Sequence, residues 1–118
     1  MREIKFRAKR LDNGEWIYGD LHIRTPHAHI HSELGTKAFI NADTIGQFTG
    51  FRDKNGTEIY EGDIMNDPTS KNVGVVQWNS ILCQFQLSWN NMPTAADVFF
   101  MVNCGSLAIG NIHDDPYF

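Results

Sequence analysis

The segment His27-Ala-His-Ile-His31 is the part of this chain best equipped for chemistry. Imidazole is the commonest protein ligand for transition metals. On a strand these three rings share a face, and neighbours at i, i+2 lie ~7 Å apart, close enough to chelate one ion. The outer pair lies ~13 Å apart, at the limit of joint reach. On a helix, His27 and His31 become i, i+4 neighbours instead. Either arrangement would serve a metal-dependent hydrolase, with His22, Glu33 or His113 as the fourth ligand. The competing assignment is a solvated histidine-rich surface loop.

A second candidate is basic. Lys5, Arg7 and Lys9 alternate along one face of an N-terminal strand, where they could contact phosphates. Trp16 and Tyr18 follow on its partner strand, where they could stack on bases. The structural alternative is an edge strand whose lysines block sheet-to-sheet pairing. Glu61 and Asp63, two residues apart, could act as an acid-base pair or hold a cation. The simpler role is a solvated strand edge in which Asp63 ties down a bend. Ser, His and Asp occur without an elbow motif, and there is no glycine-rich phosphate loop and no CxxC. No catalytic residue and no cofactor are therefore assigned.

The elements that must position these groups are strands. Residues 3–9 alternate in polarity, Asn13-Gly14 closes a hairpin, and Glu15 to Ile23 returns. Residues 24–44 are less regular. Thr25-Pro26 either caps a short helix ending near Gly35 or begins a loop, and Asn41 to Thr44 reads as a turn. Strands are expected at 45–51, 58–65, 73–78 and 83–89, with Asp53-Lys-Asn-Gly56 as a turn between the first two. Asn79-Ser80 reads as a tight turn, or the start of a longer one. Thr94 to Asp97 reads as a helical turn, 98–102 as a buried strand, and 106–112 as the last strand. Trp78, Phe85, Trp89, Phe99 and Phe100 are expected in the core.

The chain has 118 residues, 42% of them apolar, which suits one globular domain. No apolar run reaches the ~20 residues of a membrane span, and the N-terminus is charged from Arg2 onward. A cytoplasmic protein without membrane contact is expected. Cys83 and Cys104 lack ligand spacing and read as buried thiols. Net charge is -4, unevenly spread: the first ten residues hold five basic groups and one acidic, the remainder five and thirteen. Such acidity disfavours nucleic acid everywhere except the N-terminal strip.

Three stretches carry a resemblance. They are Met1-Arg-Glu-Ile-Lys-Phe-Arg-Ala8, then Gln47-Phe-Thr-Gly50 with Asp53 to Gly56 and Ile59-Tyr-Glu-Gly-Asp-Ile64, and finally Ile109-Gly-Asn-Ile112 with Asp115-Pro116. Together they resemble the YopX family of phage and prophage proteins, end to end. The resemblance implies a mainly β protein in a bacterial host cell. An N-terminal β-hairpin unit at 1–44 would precede an SH3-like small β-barrel at 45–118. It brings no catalytic residues. Lys9 departs from the usual pattern, and the histidines at 27–31 are not a family signature, so any role they have is local to this chain. The expected function is a non-enzymatic accessory protein binding a phage or host protein, with self-association through exposed edges. A nucleic-acid-associated phage factor and a metal-binding hydrolase are the alternatives.

Overall fold

The computed structural model describes residues 3–24, 27–90 and 92–115. It is mainly β, with eleven strands and one short α-helix among the described residues. The chain divides into two compact units, Met1–Phe48 and Thr49–Phe118, where the sequence places the boundary at 44.

Unit 1 is an antiparallel sheet. Strands β1 (Phe6–Lys9) and β2 (Trp16–Arg24) form the expected hairpin. Its turn is held by Asn13, whose carboxamide oxygen accepts the Glu15 N–H at 2.9 Å, and by Gly14 at φ +72°. Two further strands, β3 (His27–His31) and β4 (Lys37–Phe39), occupy the segment in which a helix was one expectation. The reason is tertiary. Ile30, fully buried, and Ala38, its cross-strand partner, both enter the core only when the segment is extended. The β3–β4 turn is closed by Ser32, whose hydroxyl accepts the Thr36 N–H at 3.0 Å, and by Gly35 at φ +88°. Thr25 and Pro26 lie outside the described residues. After a 3-10 turn at Ala42–Thr44, capped by Asn41, strand β5 (Gly46–Arg52) begins. The order is β4-β3-β2-β1-β5. Ala8, Ile17, Ile30, Ala38 and Ile40 form the core.

One close approach fixes this sheet. A Cβ on Gly19 would lie 2.0 Å from the backbone oxygen of His31, so only glycine lets β2 and β3 meet there.

Unit 2 opens with the second half of β5. The Asp53 to Gly56 turn returns it as β6 (Glu58–Tyr60). The single strand expected over 58–65 is broken at Glu61-Gly62. Gly62, at φ +89°, turns the chain into β7 (Asp63–Asn66). Strands β8 (Val73–Asn79), β9 (Gln84–Trp89) and β10 (Ala95–Asp97) follow. Next come helix α1 (Val98–Asn103) and β11 (Ala108–Asn111). The sheet order is β10-β9-β8-β7-β11, antiparallel throughout and open at β10 and β11, so it is not a closed barrel.

The helix and strand expected over 94–102 are exchanged. Ala95 to Asp97 pairs with β9, and the Asp97 carboxylate accepts the Phe99 N–H at 3.2 Å as an N-cap. That cap starts a helix whose i, i+3 pair, Val98 and Met101, turns inward, while Phe99 and Phe100 remain 53% and 60% exposed. The β-favouring Val-Phe-Phe run loses to the cap and to core burial. Ile59, Met65, Val76, Leu87, Val98 and Met101 make the core, with Phe85 and Trp89 packed against it. Full burial of each large aliphatic contributes about 1.5–3 kcal/mol. Trp78 is exposed, against expectation. So are Cys83 and Cys104, both free thiols at turns and not buried ones.

Candidate functional site

The motif carboxylates serve the backbone. Asp53 is 6% exposed, and its Oδ1 accepts the N–H groups of Asn55 and Thr57 at 2.9 and 3.0 Å. Its Oδ2 accepts the Ala108 N–H at 3.1 Å, tying the turn to the start of β11. Asp63 is 4% exposed and accepts the Tyr60 N–H at 2.8 Å, closing the Glu61-Gly62 bend. Glu61 sits in that turn and not beside Asp63 on a strand.

The basic strip is largely engaged within unit 1. Arg7 is 6% exposed, with its guanidinium 4.6 Å from the centroid of the Trp16 ring. Lys9 Nζ lies 5.5 Å from the same ring, a cation-π arrangement on both counts. Lys5 Nζ stands 5.3 Å over the Phe48 ring and 3.5 Å from the Glu3 carboxylate. Of the five residues considered for nucleic acid, Tyr18 alone is exposed.

The histidines group differently from their order in the sequence. β2 and β3 pair with His22 opposite His29 and Asp20 opposite His31. Directly opposed residues project to one face. The His22, His29 and His31 ring centroids lie 5.0, 4.7 and 5.1 Å from one another. His27 leaves this group for the ring of Phe39, 5.7 Å away. Glu33 is exposed in the β3–β4 turn, and His113 belongs to unit 2, beside Gly62. Partial burial holds the His29 pKa below the usual imidazole range, and Lys37, His22, His31 and Arg24 push it the same way. As placed, no three His, Cys, Asp or Glu side chains among the described residues are arranged to hold a metal ion. The His22 and His29 rings stack within 1° of parallel, which sends their nitrogens past each other.

The tip of the β8–β9 hairpin is a feature that residue-by-residue motif reading passes over. Ile81 is 90% exposed and Leu82 58%, with Trp78, three residues before Ile81, at 47%. Trp78 packs edge-on against Phe85, its cross-strand partner, at 4.9 Å. The loop is built to hold this display. Asn79 Oδ1 accepts the N–H groups of both Ile81 and Leu82 at 3.0 Å, and its Nδ2 donates to Gln86 Oε1 at 2.9 Å. Cys83 takes φ +53° to re-enter β9. A shallow cleft of about 320 Å³ lies alongside, lined by Gln77, Trp78, Asn79, Ile81, Gln86 and Ser88. One signal in the sequence marks the place: from Asn72 to Ala96 there is no Asp, Glu, Lys, Arg or His. Charge depletion with an exposed tryptophan is the composition of an interface centre.

The fold and these sites define a two-unit, mainly β protein whose motif carboxylates organise turns. Its conspicuous exposed chemistry is an apolar loop and a histidine face. Comparison with protein families matches the family described as YopX protein over residues 5–118. The chain belongs to the YopX family. None of the curated proteins matches it.

Proposed function

We propose that this protein is a non-enzymatic accessory protein of a phage or prophage, and that it binds a phage or host protein in the bacterial cytoplasm. The observation that carries this reading is the preorganised β8–β9 tip. Exposed Ile81, Leu82 and Trp78 sit on a loop whose backbone is already fixed by Asn79. Binding through a rigid loop avoids the entropy of ordering it, so more of the apolar burial appears as affinity. The partner surface would be an apolar pocket without a charge requirement, since the hairpin offers no charged group. Unit 2 is read as an opened SH3-like module. What supports this is the order β11-β7-β8-β9-β10 with a short helix before the last strand, a fold-level likeness to the five-stranded small barrels.

Affinity capture from induced or infected host cells tests the reading. The full chain carries a C-terminal tag without histidine, and nuclease-treated and untreated samples run side by side. A protein retained after nuclease, and lost with Ile81→Ser plus Leu82→Ser at unchanged melting temperature, is the expected result. Capture that vanishes with nuclease, or that the double substitution leaves intact, would sink it.

A further inference from the structure

The histidine face of unit 1 carries an inference independent of the hairpin tip. We propose that His22, His29 and His31 form a binding site for one divalent transition-metal ion of the zinc type. Two ligands come from alternate positions of β3, and the third stands directly opposite on β2. Three imidazoles with an open fourth position are an established zinc donor set. The spacing fits it: with Zn–N bonds of about 2.0–2.1 Å, three tetrahedrally held imidazoles have ring centroids roughly 5 Å apart. The observed separations are 4.7 to 5.1 Å. Convergence of the nitrogens requires ring rotation about χ2, a broad and soft torsion. His22 and His31 are exposed; His29 is half-buried, with Phe39 opposite it on β4 and edge-on at 6.1 Å, so the two exposed rings make the larger rotation.

The backbone under the rings is anchored by packing. Ile30, between the two β3 ligands, is fully buried, and the Gly19 approach pins the backbone of His31 to β2. Imidazole donors select zinc, copper or nickel over the alkaline earths. Lys37, opposite His31 on β4, and Arg24 on β2 oppose a cation. Asp20, opposite His31 on the other side, offsets them and offers a carboxylate for the fourth position, which water otherwise fills. His27 is outside the set, standing opposite Arg24 at the far end of the β2–β3 ladder from His31, with its ring against Phe39.

The test uses the full chain without a histidine tag, stripped by chelator and desalted. Cobalt chloride is titrated first, then zinc chloride as competitor. One equivalent of cobalt with a visible ligand-field band, displaced by one equivalent of zinc, is expected. His22→Gln and His29→Gln should each weaken zinc by at least about 10-fold, the loss typical of an outer-shell partner alone. His27→Gln should stay within about 2-fold. Imidazole proton resonances of the unaltered protein supply a readout that needs no variant: zinc should shift those of His22, His29 and His31 and leave His27 and His113 in place. Absence of saturable one-to-one binding, or equal loss on replacing His27 and His22, would overturn the assignment.

Discussion

Replacing Asp53 by alanine removes three hydrogen bonds at once and should identify what the central motif is for. Its carboxylate accepts from Asn55 and Thr57 inside the turn and from Ala108, fifty-five residues away in sequence. The three losses are unequal. Asn55 and Thr57 are exposed, so water can take over, and each bond costs about 0.5 kcal/mol. Ala108 is half-buried, and leaving its N–H unpaired costs about 1–3 kcal/mol. Asp53→Ala should therefore destabilise the protein by about 3 kcal/mol. Asp53→Asn keeps one oxygen for the turn amides but presents an N–H₂ group to the Ala108 donor, so a cost of about 1–2 kcal/mol is expected. Urea unfolding read by tryptophan fluorescence and far-UV circular dichroism measures both values, with an unchanged slope showing that the states compared are the same. Amide hydrogen exchange at Ala108 should quicken in both variants, and at Thr57 in the alanine variant alone. A stability within about 0.5 kcal/mol of the parent for Asp53→Ala, the range of an ordinary surface change, would refute the staple argument.

Other consequences follow from particular contacts. Gly19→Ala places a methyl group 2.0 Å from the His31 carbonyl oxygen, and the strands must separate. A loss above about 2 kcal/mol is expected, and a melting temperature equal to the parent's would show that the approach is not as close as described. Leu87→Ala opens a cavity among Met65, Val76 and Val98, for about 2–5 kcal/mol by urea titration. The Asp67 carboxyl is held below its ordinary value by the Thr69 N–H and then the Thr69 hydroxyl, with Ser70 adding to them. A depressed folded-state pKa gives stability that is present above the unfolded value of 3.8 and lost as pH falls through the folded one. Thr69→Ala should shrink that acid-limb loss, and identical stability-versus-pH curves below pH ~4 would contradict the assignment.

Much of the architecture was legible because strand signals here are local. Alternation at 84–89, the Asn13-Gly14 and Asp53 to Gly56 turns, and the extended form of β1 and β2 each depend on neighbouring residues. The turn carboxylates bond their own backbone a few residues on, so the motif speaks for itself. Failures came where distant partners decide. Within the irregular segment 24–44, a short helix ending near Gly35, a loop, and a strand at His27–His31 all stay open by sequence; the cross-strand pairing of Ile30 with Ala38 decides for strands. Val98 to Val102 reads as a strand by residue type, but the Asp97 cap and the inward pair Val98 and Met101 make Val98–Asn103 a helix. Phe99, Phe100 and Trp78 read as core by size alone, yet all three are exposed.

The site residues divide along the same line. Sequence spacing groups His27, His29 and His31 and leaves His22 as one of three candidates for a fourth ligand. Cross-strand register replaces His27 by His22, since opposed residues on adjacent strands stand closer than alternate residues on one. Sequence alone places lysine and arginine on one face of β1; packing decides that Arg7 is spent on Trp16. By itself, then, the sequence determined the family, the β character and the turns, all of which rest on local backbone preferences. The tertiary structure decided which side chains remain outside and which meet, because burial and strand register depend on residues far apart in the chain.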